Sequence, residues 1–141
     1  MPLVVPSPMV APMGENKSGN PSPRCLGNTG RRRYLVVESD YATDNPRRLE
    51  IQAAIKLHLA DYFRRPALVL SSGGKSLHTW FPVLSGEDES SLFEFHKRCV
   101  ALGCDPMTWT PCQLVRTPNA WRDQTRFQQL LYIDHAEIHP S

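Results

Sequence analysis

From residue 34 onward the apolar positions switch between two periods, and the switches mark out the elements. YLVVESD (34–40) is apolar on both faces before it ends in acids, the pattern of a central strand whose tip lies at a site. Asp44-Asn45-Pro46 supplies a capping side chain followed by a proline, which predicts a helix running to about Arg65 and stopping before Pro66. Ile51, Ile55, Leu59 and Tyr62 share one face of that helix. Two apolar runs, 67–71 and 76–83, flank Ser72-Gly73-Gly74 and predict a hairpin. Leu92, Phe95, Cys99 and Leu102 recur at helical spacing, predicting a second helix over about 89–102 that ends at Gly103. CQLVR (112–116) and FQQLLYID (127–134) predict two more strands, separated by the polar turn TPNAWRDQT. This order predicts an α+β fold of the ferredoxin-like or RRM-like type, with two helices on one face of a mainly antiparallel sheet. A site would then lie on the open face of the sheet.

The first thirty residues carry no such period and are crowded with Pro, Gly, Ser and Asn, so 1–30 is expected to be a disordered leader. Residues 31–135 would be the folded core and 136–141 a tail. Prolines at 6, 8 and 12 interrupt the apolar start that a secretory signal needs, and no run is long enough to span a membrane. A cytoplasmic setting follows, in which Cys25, Cys99, Cys104 and Cys112 are reduced thiols. His96, Cys99, Cys104 and Cys112 lack the paired C-x2-C knuckle of structural zinc and read as ordinary buried side chains. The net charge of +2 over 141 residues does not announce a nucleic-acid protein, so such a partner would be held by a local patch. Arg31-Arg32-Arg33 offers part of one, although a solvated charge run explains it equally.

Gly-Gly-Lys-Ser in the hairpin looks like the tail of a phosphate-binding P-loop, but that motif needs a glycine at position 69, which is Val69, and a helix afterwards. LHTWFPV instead reads as a strand. Ser76, His78 and Trp80 therefore point to the same side, placing a hydroxyl and an imidazole beside Lys75 and a glycine turn. Unhindered backbone N–H groups there suit a triphosphate, whereas a hydrogen-bonded structural histidine and a core tryptophan are the plainer alternatives. Glu38 and Asp40, two apart on one strand, project from one face, and paired carboxylates are commonly reconciled by Mg²⁺ or Mn²⁺. Asp105, just after the second helix, would add a third ligand or act as a turn cap. Arg116 at a strand end and Arg122 in the next turn match phosphate oxygens, or are surface charges.

These residues, in this order, resemble the archaeo-eukaryotic primase superfamily, in particular the primase-polymerase domains of plasmids, phages and integrated elements. The resemblance rests on Glu38-Ser39-Asp40, on Ser72-Gly73-Gly74-Lys75-Ser76-Leu77-His78 and on Cys104-Asp105, and extends to WTPCQLVRTPN (109–119). It covers about 34–134, with the hairpin its most specific part. It implies that Glu38, Asp40 and Asp105 bind two Mg²⁺ or Mn²⁺ ions, that Lys75, Ser76 and His78 orient an incoming triphosphate, and that Arg116 contacts phosphate or template. The implied reaction is nucleotidyl transfer on a single-stranded DNA template with nucleoside triphosphates. A replicative helicase, or the additional α/β module that family members usually carry, is the implied protein partner. Two positions depart from the family pattern: Glu38, where Asp is frequent, and Asn119, where Gly is common in a tight turn.

Two other readings compete. A non-catalytic module binding single-stranded nucleic acid would display aromatic rings on its central strands, where this chain has acids. A replication-initiator nickase wants a histidine–hydrophobic–histidine pair, but Leu57-His58-Leu59 has one histidine, and His135 with His139 fall in the tail.

Overall fold

The computed structural model describes residues 2–138. In chain order its strands and helices are β1 (Leu3–Val4), β2 (Gly14–Glu15), β3 (Pro21–Ser22), β4 (Tyr34–Ser39), α1 (Arg48–Tyr62), β5 (Leu68–Ser71), β6 (Leu77–Pro82), α2 (Glu89–Ala101), β7 (Val115–Arg116), β8 (Ala120–Trp121), β9 (Phe127–Gln128), β10 (Leu130–Ile133) and α3 (His135–Ile138). The principal sheet has the order β10-β5-β6-β4, and every pairing in it is antiparallel. The fold is α+β.

Alternation along the strands sorts side chains to two faces. Leu35 and Val37 of β4 and Phe81 of β6 pack with Leu59 of α1 and with Leu92, Phe95 and Cys99 of α2, so both long helices share one face and one core. On the other face Val36, Leu70 and Trp80 pack with Val115, and Tyr34 meets Trp80 edge-on at 5.6 Å between ring centroids. Trp80 is therefore core. The second helix forms as its pattern predicts: Asp88 caps it by accepting the Ser91 N–H at 2.8 Å, and Gly103 follows its end with a φ of +90°.

The first helix differs from its sequence pattern. Its buried face is Gln52, Ile55, Lys56 and Leu59, while Tyr62 is exposed where the helix runs past its support. Asn45 receives the Arg47 N–H on its side chain, and the helix begins at Arg48. The predicted strand 112–116 is reduced to Val115–Arg116 and pairs with β1, outside the principal sheet. After α2 the chain lies along the outer edge of β4, where Cys104 bridges Ser39 and the Asp105 N–H donates to the Glu38 carbonyl at 2.9 Å. With that edge occupied, the chain passes to the opposite face at Val115, and β10 joins the sheet beside β5.

The proline-rich leader was expected to lack structure, yet it lies on the core. Leu3 and Val4 pair with Arg116 and Val115, and the Pro2 carbonyl accepts from the Thr117 N–H and hydroxyl. Asn28, fully buried, donates its amide to the carbonyls of Ala11 and Pro23 and accepts the Cys25 N–H. Backbone groups that proline leaves without ladder partners are thus answered by side chains, a device invisible to periodicity. Arg32 is likewise not solvated: it forks onto Glu89 at 3.1 and 3.2 Å, donates to the Trp109 carbonyl and stacks 4.2 Å over the Trp109 ring. In the predicted tail, 135–138 form a helical turn, and the Ile138 carbonyl accepts from the Tyr34 hydroxyl. His139 and the rest of the tail lie outside the described residues. No helix among the described residues is long and apolar enough to cross a membrane.

Candidate functional site

The β4–β6 register sets Glu38 directly opposite His78, on the face away from the long helices. Ser76, just before β6, donates its hydroxyl to Glu38 Oε1 at 2.8 Å and meets the Ser72 hydroxyl at 2.9 Å, from which its oxygen accepts. The His78 ring, only 4 % exposed, brings Nε2 to 3.5 Å from the same Glu38 oxygen. At that distance ring and carboxylate are in contact without a close hydrogen bond, and neither ring nitrogen has another hydrogen-bond partner among the described residues. The His78 ring does most to hold the Glu38 carboxyl down, burial works against it, and the Ser76 hydroxyl and Arg116 add to the lowering, leaving it at about 2.

A carboxyl depressed in the folded state stabilises the fold above its ordinary pKa and loses that contribution as pH falls through the folded value. For Glu38 the window runs from about 4.5 down to about 2. We expect Glu38→Gln to lose less stability than the wild-type protein across that interval, read as the denaturation midpoint against pH. Identical acid dependence in the two proteins would contradict the assignment.

The glycine turn owes its shape to what it touches. Gly73 has a φ of +72°, and a Cβ there would lie 2.7 Å from the Phe127 carbonyl oxygen, so only glycine lets the turn close onto β9. A Cβ on Gly74 would meet Arg122 Nη1 at 3.2 Å, which places that guanidinium against the turn. Arg116 stands in the same field: burial first, then Arg122 and Arg126, push its pKa down, while Glu38 opposes them. Asn119 takes a φ of +53° and accepts the Leu130 N–H on its side chain, so asparagine makes here the left-handed turn that glycine commonly makes. Lys75 is exposed at the tip of the turn. Ser76, His78, Arg116 and Arg122 thus gather around the glycine turn and Glu38.

Sequence reasoning missed Gln52. This fully buried side chain accepts the Leu77 N–H at 3.1 Å and donates to the carbonyls of Tyr41 at 3.0 Å and Lys75 at 2.9 Å, tying the glycine turn to the loop after Asp40. Lys56, also buried, places Nζ 3.7 Å from Cys104 Sγ, and burial pushes its pKa down. A signal was present: positions 52, 55, 56 and 59 form an i, i+3, i+4, i+7 stripe, and two of the four are polar.

The acids are placed differently from the expected metal set. Asp40 is exposed one residue past β4, and Asp105 spends its carboxylate capping the turn Pro106–Trp109 through the Met107 N–H at 2.9 Å. The Asp105 and Glu38 main chains are bonded, yet among the described residues no three His, Cys, Asp or Glu side chains converge to hold a metal ion. As placed, Glu38, Asp40 and Asp105 do not fit a two-ion Mg²⁺ or Mn²⁺ centre. The zinc set does not assemble either. Cys99, Cys104 and Cys112 are free and buried, and His96 faces the Thr108 hydroxyl at 3.3 Å. Burial pushes the Cys99 thiol up to about 12, which leaves it protonated and inert at neutral pH. No protein-family model, curated protein or solved structure matches this chain.

Proposed function

We propose that this chain is a primase-polymerase-like nucleotidyltransferase core, in which the sheet with both long helices on one face is the RRM-like unit. The reading is carried by one observation: a buried imidazole that meets Glu38 at 3.5 Å and makes no close hydrogen bond sits at a glycine turn flanked by arginines. Buried polar groups without partners are rare and call for an explanation, of which a bound ligand is one. A nucleoside triphosphate is a ligand of the right chemistry. Its phosphate oxygens would accept from the His78 ring N–H and from the guanidinium groups of Arg116 and Arg122, with Lys75 adding charge from the tip. In nucleotidyl transfer the hydroxyl of a primer or first nucleotide, ordered by a single-stranded DNA template, attacks the α-phosphorus. A P–O bond forms, pyrophosphate leaves, and cations near the β- and γ-phosphates stabilise the charge it carries away.

The scattered carboxylates favour a second reading, a non-catalytic module that binds nucleotide and single strand within a replication assembly. Labelled-nucleotide incorporation on a single-stranded template with Mg²⁺ or Mn²⁺, with and without primer, separates the two. Product from the wild-type chain that is lost in a folded His78→Gln variant is the expected result. Nucleotide binding without product gives the second reading, and a folded chain that neither binds nor incorporates nucleotide overturns both.

A further inference from the structure

Beside the glycine turn, β8 and β9 form a short hairpin whose cross-strand pair is Trp121 with Phe127. Their rings meet edge-on at 5.2 Å between centroids and 65° between planes, and both are exposed, Trp121 by 60 % and Phe127 by 39 %. A tryptophan so far out of the core, held at a fixed angle by a second aromatic ring, leaves one ring face open to a planar partner. The hairpin is well tied. The Arg122 N–H donates to the Arg126 carbonyl at 2.7 Å, and Asp123 accepts from the Thr125 and Arg126 N–H groups and pairs with the Arg126 guanidinium. With Arg126 occupied by Asp123, Arg122 is the hairpin cation that forms no ion pair among the described residues. Its guanidinium lies against Gly74, and the residue follows Trp121 directly in the chain.

We propose that Trp121, supported by Phe127, is a stacking platform for a base of single-stranded nucleic acid, with Arg122 taking the adjoining phosphate. An open aromatic face next to a guanidinium is the combination that holds a single strand without reading its sequence, the ring taking the base and the cation the backbone. The β9 main chain lies against Gly73, so a base stacked there would be beside the site that takes the triphosphate. The strand-handling part of the proposed function is assumed here, and the platform adds the place where the strand is gripped.

The test titrates a short labelled oligothymidylate by fluorescence anisotropy into wild-type protein, Trp121→Ala and Trp121→Phe, with thermal melts confirming that each is folded. In parallel, a labelled nucleoside triphosphate is titrated into the same samples. Trp121→Ala should weaken oligonucleotide binding about 10-fold, the scale of one lost base–aromatic stack. Trp121→Phe should recover most of the loss, and triphosphate affinity should not change. Oligonucleotide affinity that is unaltered in Trp121→Ala, or equally lost in both variants, overturns the platform. So does a loss confined to triphosphate binding, which would assign the ring to the incoming base. A wild-type protein that binds triphosphate but no oligonucleotide overturns the platform and leaves the nucleotide site standing, whereas one that binds oligonucleotide but no triphosphate does the reverse.

Discussion

Phe81→Ala is expected to destabilise the protein by about 3–5 kcal/mol, as large-to-small changes at fully buried aromatic positions do. Phe81 is 0 % exposed, and its ring stands edge-on to Phe95 at 5.0 Å, inside the cluster where β4, β6, α1 and α2 meet. This cluster brings both long helices into contact with β4 and β6, so the cavity would lie where the layers join. Part of the cost is the lost transfer of the ring from water, and part is a void that four elements cannot all close at once. A denaturant midpoint that moves little, with an unchanged slope, would mean that the two layers are held together elsewhere. Phe81→Leu, which retains most of the volume, should restore a large share of the stability.

Gln52→Leu should cost about 1–3 kcal/mol from one orphaned group alone, because the Leu77 N–H sits in a buried segment and loses its acceptor. The Tyr41 and Lys75 carbonyls lose their donor too, but both residues are exposed and water can replace it. The consequence reaches the site, since the same side chain links the loop after Asp40 to the turn that presents Ser76 and His78. Triphosphate affinity should therefore fall by more than the small fraction of unfolded protein explains. Triphosphate affinity that falls no further than the unfolded fraction explains would limit Gln52 to a structural role.

Much of this could be read along the chain. The strand 34–39, the hairpin around Ser72-Gly73-Gly74 and the second helix are each local patterns with local punctuation, and each forms where its pattern lies. Period-two alternation was enough to put Ser76, His78 and Trp80 on one side of their strand and Glu38 with Asp40 on one face of theirs, whereas the β4–β6 register brought Glu38 opposite His78. The leader and the segment 105–128 were less legible. Their main-chain groups are answered by partners far away in sequence, such as Thr117 on Pro2 and Gln128 on Thr117. No window of neighbouring residues contains that information.

By itself, then, the sequence determined the α+β class, the strand face shared by the hydroxyl and the imidazole, and the glycine turn between the hairpin strands. Only the tertiary structure decided which strand β10 joins, that Gln52 and Lys56 are buried, and that Asp105 caps a turn while its main chain closes the edge of β4. The division follows the range of the forces. Alternation, capping and left-handed turns are set by residues within one or two turns of each other, whereas the fate of a sheet edge or a carboxylate depends on which unsatisfied group the rest of the fold brings to it.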